Sequence, residues 1–107
     1  MDRKKIFIVE DETIVAQDIA NRLTKAGYEV IGMAVRGDEA LQWLAASPAD
    51  LVIMDIALQG DQDGIEIAAY VRERHDIPVI YLTAHADLDT LQRAGITEPF
   101  GYLVKPF

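Results

Sequence analysis

Cysteine is absent from the 107 residues, which excludes disulfides and thiolate metal sites and fits a cytoplasmic protein. Basic side chains are a minority. Ten Lys and Arg against eighteen Asp and Glu give a net charge of −8, which argues against direct nucleic-acid binding, since that rests on phosphate neutralisation by cations. No apolar run approaches the ~20 residues of a membrane span. The run Ile6-Phe7-Ile8-Val9 that follows Met1-Asp2-Arg3-Lys4-Lys5 is too short for a signal-peptide core. There is no internal repeat, low-complexity tract or linker, so residues 1–107 are expected to form one domain. No glycine-rich loop follows the first apolar run, which weakens any nucleotide- or flavin-binding reading.

What is present is organised around Asp50-Leu51-Val52-Ile53-Met54-Asp55. Four apolar residues bounded by acids read as a strand buried on both faces, as parallel sheets require. Such a strand delivers its last residue, Asp55, to the carboxyl edge of the sheet, where open α/β folds bind ligands. Four further runs behave similarly: Ile6–Val9, Tyr28–Val35, Pro78–Leu82 and Phe100–Val104. Helical periodicity fills the gaps. Val15, Ile19 and Leu23 recur four apart, with Ala16 and Ala20 beside them, and Gly27 is placed to end that helix in a left-handed conformation. A second helix opens at Gly37-Asp38-Glu39 with Ala40, Leu41, Leu44 and Ala45 facing inward, and Trp43 partly buried. A third runs from about residue 65 to 74 with Ile67, Ala68 and Val71 inward, and a fourth is capped by Asp87 and closed by Gly95. Glu29 and Gly32 make the second strand the least apolar, which suits a sheet edge. Five strands alternating with four helices indicate a doubly wound parallel sheet.

The polar residues that follow the strands carry the chemistry: Glu10-Asp11 after the first, Asp55 after the third, Thr83 after the fourth and Lys105 after the fifth. In a parallel sheet all of them emerge at one edge. Neighbouring strands are ~4.8 Å apart, so a lysine two strands from Asp55 would start ~10 Å away, within reach of its stem. Three carboxylates and one ammonium leave surplus negative charge, which invites a hard divalent cation with oxygen ligands, Mg²⁺ fitting best. Asp55 could then attack phosphorus to give an acyl phosphate. Lys105 would offset charge on the phosphoryl oxygens and the Thr83 hydroxyl could bond one of them.

Over all 107 residues, this order of residues resembles the receiver domain of two-component response regulators. The resemblance rests on the acid pair Glu10-Asp11, the phosphoacceptor position Asp55, Thr83, the Lys105-Pro106 pair and an aromatic residue, Tyr102, three before the lysine. It implies a flavodoxin-like strand order 2-1-3-4-5 and a phosphohistidine on a sensor histidine kinase or phosphotransfer protein as donor. It also implies Mg²⁺ held by Asp11, Asp55 and the backbone carbonyl of Ala57, with Glu10 acting directly or through water. Thr83 and Tyr102 would act as the switch pair, and the bond before Pro106 would be cis. Glu10 stands where aspartate is commoner, and the loop after Asp55 looks one residue longer than usual. His85, two residues past Thr83, and Ala57 are expected to tune the lifetime of the acyl phosphate, whereas His75 is expected at the surface.

The competing readings are a phosphohydrolase working through an aspartyl phosphate and a receiver-like interaction module that is never phosphorylated. The haloacid-dehalogenase type needs a second acid two residues after the nucleophile, and Ala57 stands there. A complete site argues against the silent module. One part of the family pattern has no counterpart: a fifth helix. Its absence is expected to uncover apolar positions on the first, third and fifth strands, to be met by an output domain, a partner protein or a homodimer.

Overall fold

The computed structural model describes residues 3–55, 64–83 and 101–104. Its elements, in order, are β1 (Lys5–Val9), α1 (Thr13–Lys25), β2 (Glu29–Ala34), α2 (Gly37–Ala46), β3 (Leu51–Asp55), α3 (Gly64–His75), β4 (Val79–Thr83) and β5 (Gly101–Val104). The expected helix at 87–95, the loop after Asp55 and the stretch from Lys105 onward lie outside the described residues.

The strands form one parallel sheet in the order β2-β1-β3-β4-β5, as the resemblance implied. β3, the strand that ends at Asp55, lies in the middle. β2 lies at an edge, as its mixed composition predicted. Apolar side chains divide between the two faces. Phe7, Val9, Val52, Met54, Val79 and Tyr81 pack with Ala40 and Leu44 of α2 and Ile67, Ala68 and Val71 of α3. Ile6, Ile8, Ile53 and Leu82 pack with Ala16, Ile19 and Ala20 of α1.

That second cluster corrects one expectation. Ile6, Ile8 and Ile53 are buried rather than uncovered, because α1 lays small residues against them and so approaches the sheet closely. Ala45 is a second correction, being exposed: α2 turns its narrow stripe through Gly37, Ala40 and Leu44, and position 45 falls just beyond it. His75 is half-buried beside Tyr70, with ring centroids 6.4 Å apart, rather than free at the surface.

Two glycines have structural reasons. Gly27 takes φ 101° after the last turn of α1, the conformation its position predicted. Gly37 begins α2 where the helix meets α3: a β-carbon there would overlap Ile67 Cγ1 and lie 2.6 Å from its Cδ1. Gly37→Ala is therefore expected to destabilise the fold by about 1–3 kcal/mol through overpacking, read as a lower urea midpoint at unchanged slope.

Candidate functional site: an acidic pocket at the carboxyl edge

β1 and β3 are neighbours, with Val9 opposite Met54, so the residues just beyond them, Glu10 and Asp11 on one side and Asp55 on the other, meet at one end of the sheet. Glu10, Asp11 and Asp55 each offer a carboxylate oxygen, and these atoms all lie within 4.8 Å of one another. Glu10 is 1% exposed and Asp55 4%, while Asp11 is half-buried. The backbone fixes Glu10 from two sides. Its N–H donates to the carbonyl of Ala34 at the end of β2, at 2.9 Å, and its Oε1 accepts the backbone N–H of Glu12 at 3.1 Å. The side chain thereby closes the turn from β1 into α1.

Carboxylates withdrawn from water are costly unless paired, hydrogen-bonded or metal-coordinating. Three of them with converging hard oxygens fit a small divalent cation such as Mg²⁺. The remaining expected site residues are only partly described. Thr83 closes β4, one position beyond Leu82, which pairs with Asp55. Tyr102 lies on β5 opposite Tyr81 of β4. Ala57, His85 and Lys105 lie outside the described residues.

Sequence reasoning passed over what stands beside this pocket. Ile14, in the first turn of α1 and three residues after Asp11, is 85% exposed. It interrupts an otherwise polar helix surface, a signal visible in the sequence but not singled out. The junction from β2 into α2 is also ordered by side chains. Glu39 Oε1 accepts the N–H of Val35 at 3.1 Å. Asp38 Oδ1 accepts both Arg36 Nε at 3.2 Å and the N–H of Glu39 at 2.8 Å. The hydrogen bond from Arg36, then that from the Glu39 backbone, holds the Asp38 carboxyl below its ordinary value.

A doubly wound parallel domain with converging carboxylates at the carboxyl ends of β1 and β3 is a class built to hold a hard cation beside a buried strand-end acid. Within that class the chain belongs to the response regulator receiver domain family, whose model matches residues 6–107. It is 36% identical over 104 residues to the transcriptional regulatory protein PdtaR of Mycobacterium tuberculosis, covering 97% of this chain and 50% of that protein. It is 33% identical to the DNA-binding transcriptional regulator NtrC of Escherichia coli, covering 100% of this chain and 23% of that one. Among solved structures, the signal receiver domain of a modulated diguanylate cyclase from Desulfovibrio desulfuricans G20 superposes with a TM-score of 0.92 at 37% identity, covering 98% of this chain and 83% of that one. The chemotaxis protein CheY4 of Vibrio cholerae does so with a TM-score of 0.90 at 29% identity, covering 99% and 89%. The chain spans half the length of the first of these relatives and about a quarter of the second. The family is that of the receiver domains of two-component response regulators. Among the described residues no helix is long and apolar enough to cross a membrane.

Proposed function

We propose that residues 1–107 form one receiver unit of a cytoplasmic phosphorelay, in which Asp55 is the phosphoryl acceptor. The observation that carries this reading is the convergence of Glu10, Asp11 and Asp55 within 4.8 Å at the carboxyl edge, with Asp55 ending the central strand. Asp11 and Asp55 would hold Mg²⁺ with the carbonyl of Ala57, and Glu10 would complete the site directly or through water. Bound there, the ion supplies charge neutralisation for the incoming phosphoryl oxygens.

The reaction on this chain is a displacement at phosphorus. A carboxylate oxygen of Asp55 forms the new P–O bond while the P–N bond to the donor histidine breaks, and the imidazole leaves and picks up a proton from solvent. Lys105 offsets charge on one phosphoryl oxygen and Thr83 hydrogen-bonds another. The pull on Thr83 at the end of β4, together with reorientation of Tyr102 on the adjoining β5, biases two packings of the surface near those strands. Water later attacks phosphorus, releasing phosphate and restoring the Asp55 carboxylate. Ala57 and His85 set how readily that water enters. The chain assists its own phosphorylation and dephosphorylation in this sense only. Its signal passes to an output domain or a partner protein, with a homodimer as one form of the active state.

Incubation with Mg²⁺ and acetyl phosphate is expected to add one phosphoryl mass, sensitive to base as acyl phosphates are. No adduct from either a small donor or a histidine-phosphorylated protein would sink the reading. The exposure of Ile14 beside the pocket makes it a contact for the protein donor: Ile14→Ala is expected to slow transfer from a phosphohistidine protein about tenfold, the scale of one apolar interface anchor, and to leave the acetyl phosphate rate unchanged.

A further inference from the structure

The described cations are unevenly placed. Arg3, Lys4 and Lys5 precede or begin β1, and Arg22 and Lys25 lie in the last turn of α1, Arg72 and Arg74 in that of α3. Helices here run back against the strands, so all seven lie toward the amino edge of the sheet, away from the acidic pocket. Arg36 is the exception among the described residues. It follows β2, whose end is tied to the pocket by the bond from Glu10 N–H to the Ala34 carbonyl, and it stands at the carboxyl edge as the residue capping α2. Its guanidinium is held in place by Asp38 at 3.2 Å and remains more than half exposed.

The pocket it overlooks must admit an anion into a chain of net charge −8. We propose that Arg36 is a steering residue for the phosphoryl donor: an exposed cation at the carboxyl edge that offsets the Asp38 carboxylate paired with it and so lowers the repulsion an anionic phosphodonor meets on its way to Asp55. It rests on the acceptor role of Asp55 for its chemistry and on topology for its placement. Arg36 touches no reacting atom and acts through space. Two strand spacings alone separate β2 from Asp55 by about 10 Å, and the two residues beyond Ala34 carry Arg36 further out, so its charge stands at least about 10 Å from that carboxylate. At that separation a unit charge changes the local concentration of a dianion roughly two- to fourfold at low salt, and very little once the screening length falls well below it.

A cation at this place has opposite effects on the two ions the site takes. It attracts the donor and repels Mg²⁺. Initial rates of phosphorylation by acetyl phosphate, and Mg²⁺ affinity by calorimetry, are to be measured on the 107-residue chain, for wild type, Arg36→Gln and Arg36→Lys, at low and high ionic strength. Arg36→Gln is expected to lower the rate roughly two- to fourfold at low salt while tightening Mg²⁺ by a similar factor, both differences vanishing at high salt. Arg36→Lys is expected to restore both. A rate unchanged at low salt, or rate and Mg²⁺ affinity falling together as a packing defect would make them, overturns the proposal. A wild-type chain that takes no phosphoryl group refutes the acceptor role of Asp55 instead, and the Mg²⁺ titrations still decide whether Arg36 acts on the pocket.

Discussion

Asp55→Asn is expected to fold, to bind Mg²⁺ more weakly and to take up no phosphoryl group from acetyl phosphate or from a phosphohistidine protein. Asparagine has nearly the shape of aspartate, so the pairing of position 55 with Leu82 across β3 and β4 and the packing of Met54 beneath it survive. What disappears is the proposed nucleophile, because an amide oxygen does not form a stable acyl phosphate. The expected loss is at least about 100-fold in adduct formation, on the scale of removing the nucleophile of a covalent mechanism. Intact-mass measurement checks the adduct, and a retained cooperative thermal transition checks the fold. An adduct of undiminished yield in this variant would move the acceptor elsewhere in the chain.

Removal of Asp11, the second acid proposed for the metal site, is expected to give the other large effect. Asp11 is the half-buried member of the cluster and begins no strand or helix, so Asp11→Asn removes one charge from the proposed metal site with little cost to packing. Mg²⁺ affinity, measured by calorimetry, is expected to fall about 10- to 100-fold, and phosphorylation to fall with it and recover as Mg²⁺ is raised. Glu10→Gln should behave differently. Its Oε1 accepts the Glu12 N–H, a bond that glutamine keeps, so the turn into α1 stays closed while the pocket loses one charge. A milder drop is therefore expected, with the same rescue. Equal and Mg²⁺-independent losses in both variants would point to damage to the turn rather than to the metal site.

Much of this arrangement was legible in the residues, for physical reasons that are local. A buried parallel strand must be continuously apolar, so Leu51–Met54 announced β3 and Asp55 its edge; Gly27 announced the end of α1 because few other residues accept its φ. The order of strands came from the family resemblance, and the sheet bears it out. What sequence did not reveal depended on how closely elements approach one another. Ala16 and Ala20 were placed beside the stripe of Val15, Ile19 and Leu23, but spacing alone did not show that they pack against Ile6, Ile8 and Ile53. Ala45 read as inward because its spacing fits a wide stripe, whereas the contact at Gly37 and Ile67 sets α2 in a rotation that leaves 45 in solvent. The acids were found by their positions at strand ends; that Glu10 is nearly inaccessible and accepts the Glu12 N–H is set by how the turn folds back, which no spacing rule predicts.

The pairing of β1 with β2 contains one irregularity with a wider consequence. Ile6 lies opposite Val30 and Phe7 opposite Gly32, so Ile31 is an extra residue in the outermost strand. A bulge of this kind increases local twist and spoils the regular row of outward N–H and C=O groups that another strand would need. Trp43 leans over the same place, its ring 5.7 Å from that of Phe7. The β2 margin of the sheet is thus a poor template for a neighbouring molecule, and a crowded solution of this domain is guarded on that side against growing into continuous sheet. Strand-to-strand pairing of copies through β2 is thereby disfavoured.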